Sequence, residues 1–79
     1  MPEETLTAAE IAQHYSAAGD SVTLINELVA LSERTDEQVD TVRRNVEHLE
    51  LMVAKDYWTT EDLAPFNAAI TAGNAVLPS

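Results

Sequence analysis

Apolar residues recur every three or four positions along most of the chain, a spacing that places them on one face of an α-helix. No alternating apolar and polar run is long enough to predict a strand. Helix-favouring Ala, Glu, Leu and Gln are frequent, and only two glycines and three prolines interrupt the 79 residues. The pattern predicts an all-α chain forming one small domain over residues 1–79, with flexible or docking tails at 1–6 and 74–79.

A short N-terminal helix is predicted over about residues 8–18. Thr7 and Glu10 have the spacing of a capping box, in which hydroxyl and carboxylate each accept a hydrogen bond from a free backbone N–H. Gly19 can adopt the left-handed conformation that ends many helices. We therefore expect the first helix to end just before Gly19.

A long central helix is predicted over about residues 21–55, which contain neither Gly nor Pro. The unbroken heptad register favours one continuous helix, roughly 50 Å long at 1.5 Å per residue. The alternative is a break near residues 32–35, because Thr35 and Gln38 have capping-box spacing and Ser32 is polar. In either case, positions a and d form a coiled-coil-like seam of apolar residues: Ile25, Leu28, Val39, Val42, Val46, Leu49 and Val53.

A short C-terminal helix is predicted over about residues 60–72. With Thr59 as the N-cap, Trp58 and Leu63 occupy the two positions of a hydrophobic staple. Pro65 is expected to kink this helix or to split a turn at 60–63 from a helix at 64–72. Gly73 is the expected stop. The residues predicted to anchor the core or an interface are Tyr57, Trp58, Leu63 and Phe66.

The charge of the chain narrows the classes of partner. Fourteen acidic and four basic residues give a net charge of −10, which disfavours direct nucleic-acid binding and basic contacts with a membrane surface. Local ion pairs are expected between Asp40 and Arg44 and between Arg43 and Glu47. Without cysteine, a signal-peptide pattern or an apolar run long enough to span a bilayer, the sequence predicts a cytoplasmic location without secretion.

No catalytic, metal-binding or cofactor-binding residue is predicted. His14 and His48 lie on different predicted helices without the spacing of a ligand pair. The acidic residues are spread along helices rather than gathered in a calcium-binding loop. A small helical chain also offers little volume for a substrate pocket. We therefore expect a protein that is not an enzyme.

Two stretches in the second half of the chain resemble a known group of proteins. Residues 44–56 contain Asn45-Val46, His48-Leu49, Met52 and Ala54-Lys55, and residues 69–73 read Ala-Ile-Thr-Ala-Gly. These residues are similar to the "NVxHLxxMxAK" helix and "AIxAG" ending of small, uncharacterised helical proteins of tailed, often marine, bacteriophages. The resemblance implies a phage origin, a place among virion or assembly proteins, and a location in the virion or host cytoplasm. It carries no active site.

Two hypotheses for function follow. A chain this short buries only about 60% of its unfolded surface, and its single-sign charge disfavours a compact monomer. The first hypothesis is therefore a non-enzymatic helical protein that buries its seam against copies of itself, as a homo-oligomer, or against another protein. The second is an acidic inhibitor or host-takeover protein that mimics nucleic acid and blocks a basic host protein.

Overall fold

The computed structural model describes residues 7–78, which form a bundle of three α-helices. They are α1 (Ala8–Val29), α2 (Asp36–Val53) and α3 (Thr60–Val76), and the described residues contain no strand. Each helix packs against both of the others. The predicted all-α class is confirmed. The predicted tail at 1–6 lies outside the described residues.

The prediction of a continuous central helix over 21–55 is wrong, and the alternative break is confirmed. The helical path is interrupted between Val29 and Asp36. Thr35 caps α2, and Arg34 donates hydrogen bonds to the carbonyls of Leu28 and Val29 at the end of α1 and of Leu31 just beyond it. Because the chain reverses here, the two halves of the heptad register face each other within one molecule.

The predicted helix end at Gly19 is also wrong, since α1 continues through Gly19 to Val29. Gly19 does not adopt a positive φ. The buried positions Ala18, Ser21 and Ile25 keep helical spacing on both sides of it. Packing of this face outweighs the cost of about 1 kcal/mol for a glycine inside a helix.

Each helix begins at a capping box. Thr7, Thr35 and Thr59 each accept a hydrogen bond from the backbone N–H three residues later, and that residue's side chain accepts from the threonine N–H. The boxes at Thr7 and Thr35 and the N-cap at Thr59 were predicted from the sequence and are confirmed. The third box, which Asp62 completes, was not predicted.

The C-terminal helix is longer than predicted. It passes Pro65 without a break and ends at Val76 rather than near residue 72. Gly73 is not a stop, because it lies buried where α3 meets the other two helices. A Cβ at Gly73 would overlap the Cγ2 of Val46 and lie 3.4 Å from Ile25. Residues 74–76 of the predicted tail are therefore helical, and Val76 and Leu77 pack on the core.

One ion-pair prediction is confirmed and the other is wrong. Arg44 contacts Asp40 at 2.8 Å, as expected. Arg43 lies 3.5 Å from the other oxygen of the same carboxylate instead of pairing with Glu47. Both arginines lie within one turn of Asp40, so one carboxylate receives two cations.

Candidate interaction surfaces

The seam predicted from the heptad register lies largely inside the molecule. Ile25, Val42, Val46 and Leu49 are 0–2% exposed. The remaining seam residues, Leu28, Val39 and Val53, are half-buried. The seam is thus largely buried between the three helices of one chain. The four buried seam residues are therefore not accessible to a partner of the folded chain.

All four aromatic residues of the chain cluster near the connection between α2 and α3. The ring centroids of Trp58 lie 4.6 Å from Tyr57, 5.3 Å from Phe66 and 6.2 Å from Tyr15. Tyr15 also lies 5.5 Å from Phe66, which places this side of α1 directly beside α3. Separations of 4.5–7 Å are those of favourable aromatic pairs.

Exposure differs strongly within this aromatic cluster. Phe66 is 1% and Trp58 is 9% exposed, whereas Tyr15 is 43% exposed. The predicted anchors Trp58 and Phe66 are therefore core residues, and Tyr57 and Leu63 pack half-buried against them. Tyr15 was not predicted as an anchor. Its ring is exposed to solvent and packs against the buried rings of Trp58 and Phe66.

Two hydroxyl–imidazole hydrogen bonds tie α1 to the rest of the bundle. His14 Nδ1 lies 2.8 Å from the Tyr57 hydroxyl, and His48 Nδ1 lies 2.8 Å from Ser21 Oγ. A serine beside a histidine is the geometry of an activated nucleophile, yet Ser21 is only 5% exposed on a packed helix. Its burial suits a contact that fixes α1 against α2. These pairs span 43 and 27 residues of sequence, and local spacing gives no signal for them.

Charged residues concentrate on the outward side of α2. We call this the charged face, and helical spacing places on it Glu37, Asp40, Arg44, Glu47 and Leu51. Leu51, at 70% exposed, is an isolated apolar residue there. Among residues 7–78, Asp40 is the only carboxylate in an ion pair with a basic side chain. Most of the carboxylates within residues 7–78 are therefore exposed to solvent outside any ion pair.

A second surface carries no charge. The last charged residue of the chain is Asp62, so the outward side of α3 beyond it is neutral. On α1, the side that carries Tyr15 is neutral too, and it borders α3 through Phe66. We call this side of α1 the neutral face, and it consists of Ala8, Ala12, Tyr15 and Gly19. The exposed small residues of α3, Ala64, Ala68, Thr71 and Ala75, lie on the side of that helix opposite Phe66.

Neither a metal site nor a membrane-spanning helix stands out in the described part of the chain. Across residues 7–78, no three His, Cys, Asp or Glu side chains converge as metal ligands. None of the helices described there combines the length and apolar character needed to cross a bilayer. No protein-family model, curated protein or solved structure matches the chain.

Proposed function

We propose that the chain is a non-enzymatic helical protein that acts through protein–protein interaction, by self-association or by binding another protein. The observation that carries the proposal is Tyr15, an exposed ring held by the buried rings of Trp58 and Phe66. Tyrosine is enriched among the residues that dominate binding energy at protein interfaces. A ring already held in place loses little conformational entropy on binding.

The surroundings of Tyr15 support the same function. Ala12 and Gly19, one turn away on either side, are small, so a partner can reach the ring without displacing long side chains. Charged residues are depleted from the centres of protein interfaces, as they are from the neutral face. The resemblance to small helical phage proteins implies a role as a minor virion or assembly component. This part of the proposal rests on the resemblance alone.

A pair of variants tests the proposal by cross-linking the full chain and by capturing bound protein. Tyr15→Leu keeps an apolar side chain but removes the ring, and Leu51→Ser is the matched control on the charged face. We expect Tyr15→Leu to weaken binding of the partner, whether another protein or a second copy, by about ten-fold or more. Leu51→Ser should leave it unchanged, and circular dichroism should show intact helices for both. Equal binding by both variants, or no binding at several hundred micromolar, would contradict the proposal.

The unpaired carboxylates favour a second candidate function, an acidic inhibitor that occupies the nucleic-acid site of a basic protein. Its partner would be a protein with an exposed cationic groove. Charge-driven binding weakens steeply as salt rises, whereas a packed apolar contact persists. Competition with DNA for a basic protein, measured between about 0.05 and 0.5 M salt, separates the two. Salt-insensitive binding, or an absence of competition at low salt, would exclude the mimic.

A further inference from the structure

We propose that the chain has a second, domain-swapped state, a dimer in which the connection between α1 and α2 straightens and the α1 of each copy packs on the α2 and α3 of the other. The occupant of each bundle is thus a second copy of this chain. The inference goes beyond the proposed function, since it requires neither Tyr15 nor a different protein. Exchange of an identical element is a low-cost route to a dimer, because the exchanged contacts are those of the monomer.

Burial along α1 and α2 follows one heptad register that continues across the connection between them. Within the two helices, every a and d position is buried or half-buried: Ile11, His14, Ala18, Ser21, Ile25, Leu28, Val39, Val42, Val46, Leu49 and Val53. Ser32 and Thr35, which the register places in the connection, are exposed. If residues 30–35 become helical, the buried positions of both helices therefore form one stripe along a single helix.

The connection itself contains no residue that forbids a helix. Residues 30–35 include neither glycine nor proline, and none of them has a positive φ. Ala30 already has helical backbone angles. Side-chain hydrogen bonds hold the reversal, since Arg34 donates to three carbonyls and the Thr35 hydroxyl caps α2. A helix that runs through the connection exchanges these contacts for backbone hydrogen bonds.

The contact between α1 and α2 locates the centre of the dimer. Ser21 Oγ contacts His48 Nδ1, and these two residues lie equally far along the sequence from the Arg34–Thr35 peptide bond. Because the swapped dimer retains this contact between copies, its two-fold axis passes near that bond. Ser32 and Thr35 of the two copies therefore meet at the centre. Leu31, which is 41% exposed in the monomer, borders this contact at position g.

Concentration and the connection decide the balance between the two states. A short linker holds α1 near its own site at an effective concentration on the order of 1 mM, so the dimer is expected as the protein approaches this concentration. A substitution in contacts that both states share, such as Tyr15→Leu, affects them equally and should leave the balance unchanged. A substitution within residues 30–35 should shift it.

The experiment is to unfold the full chain in urea, refold it at about 10 μM and at about 1 mM, and measure its mass by sedimentation. We expect 8.6 kDa at the low concentration and a fraction of twice that mass at the high one. Thr35→Leu fills the central seam and should favour the dimer about ten-fold over Thr35→Ala, which loses the same capping hydroxyl.

A second pair of variants tests whether the connection becomes helical. Glu33 is exposed, so both Glu33→Pro and Glu33→Ala should keep the circular dichroism of the closed monomer. Proline inside a helix removes a hydrogen bond and clashes with the preceding turn. We therefore expect Glu33→Pro to weaken the dimer about a hundred-fold or more relative to Glu33→Ala.

Energy transfer distinguishes a swapped dimer from two closed chains side by side. Ala9→Cys with Leu51→Cys places two fluorophores at exposed positions of a chain that has no other cysteine. In the closed bundle, whose longest dimension is 46 Å, both lie near the same end. On one straightened helix they lie about 63 Å apart. Refolded with an excess of unlabelled chain, the dimer should show much lower transfer than the monomer.

Three results would each overturn the inference: a wild type that refolds only as a monomer at about 1 mM, a Thr35→Leu chain no more dimeric than Thr35→Ala, or a dimer with the energy transfer of the monomer. A dimer that Tyr15→Leu abolishes and Glu33→Pro retains would also exclude swapping, and it would support the surface contact of the proposed function instead. Failure of the swap therefore leaves binding through Tyr15 untouched.

Discussion

The two connections between helices share one plan but use different chemistry. Residues 30–35 and 54–59 each begin with an alanine C-cap and end with a threonine N-cap. In both, the residue just before the threonine reaches back to carbonyl oxygens near the end of the preceding helix. Arg34 donates to the carbonyls of Leu28, Val29 and Leu31. Trp58 donates its indole N–H to the carbonyl of Met52 at 2.7 Å.

The difference lies in what else the two side chains do. Arg34 is half-buried and places its charge at the helix C-terminus, where the carbonyls carry partial negative charge. Trp58 makes one hydrogen bond and buries a large ring in the core. Both connections satisfy free carbonyls with a side-chain N–H donor, which is charged and half-buried in Arg34 and neutral on a buried ring in Trp58. Substitutions in the two should therefore have unequal costs.

The largest expected effect is that of Trp58→Ala. Truncating a buried aromatic residue costs about 3–5 kcal/mol, a large part of the stability of a small domain. We expect the chain to be largely unfolded at 25 °C by circular dichroism and chemical denaturation. Trp58→Phe should recover part of this, because it restores an aromatic ring but lacks the five-membered ring of the indole and its N–H donor. A loss below about 1 kcal/mol for the alanine variant would show that the ring is not a core element.

A smaller loss is expected for Arg34→Met, which keeps an apolar stem and removes the donors. Hydrogen bonds from a charged group contribute about 1.5–3 kcal/mol, and partial solvent exposure should reduce the loss to roughly 1–2 kcal/mol. Urea denaturation measures it, with Arg44→Met as the control for removal of an exposed arginine. If both variants lose the same free energy of unfolding, the contacts of Arg34 with the carbonyls contribute no more to stability than an exposed arginine does.

Substituting the threonine cap should cost the same stability in both connections, because both use the same capping hydrogen bond. Thr35→Ala and Thr59→Ala each remove one capping hydroxyl and should each cost about 1 kcal/mol. Thr→Ser at the same positions retains the oxygen and should restore most of the stability. Thermal denaturation of the four variants makes the comparison. A large difference between the two alanine variants would mean that the connections differ in their caps as well as in Arg34 and Trp58.

The smallest expected effect is a pH-dependent shift of one backbone amide resonance, which distinguishes the titratable Glu10 cap of α1 from the neutral Gln38 cap of α2. Hydrogen bonds from the Thr7 backbone N–H and hydroxyl lower the pKa of Glu10 below its ordinary 4.5. A lowered folded-state pKa means that the stabilisation is fully present above the unfolded value and is lost as pH falls through the folded one. The Thr7 amide resonance should therefore shift in acid, whereas that of Thr35, capped by the neutral Gln38, should not respond through its cap. Glu10→Gln should remove the shift at Thr7.

The helix starts at Thr7, Thr35 and Thr59 could be recognised from the sequence, whereas the start predicted at residue 21 and the ends predicted at Gly19 and Gly73 were wrong. A capping box is a local pattern that involves four residues, so Thr7 and Thr35 were recognisable. Gly19 and Gly73 look alike locally, and each stays inside a helix because of packing between helices, which no local pattern shows. The register from Ile25 to Val53 identified the apolar stripe but assigned it to an interface between chains, because it could not show that the chain folds back near Ser32 and buries much of the stripe internally.

The candidate surfaces depended even more on contacts distant in sequence. Trp58 and Phe66 were predicted as anchors because they lie near a helix start with apolar spacing. The exposure of Tyr15 follows from its position against α3, which no neighbouring residue specifies. The two proposals for function therefore rest on the assembled surface and stay predictions until binding is measured.

The contact between Ser21 and His48 also has a consequence for the handedness of the bundle. Three helices joined by short connections can wind in two mirror-related ways that bury much the same apolar residues. In the opposite winding, α2 and α3 exchange places beside α1, and His48 no longer faces Ser21. The buried serine hydroxyl would then lack a partner, at a cost of about 1–3 kcal/mol. This interhelical hydrogen bond therefore favours the observed winding, together with the close fit of Gly73 against Val46 and Ile25.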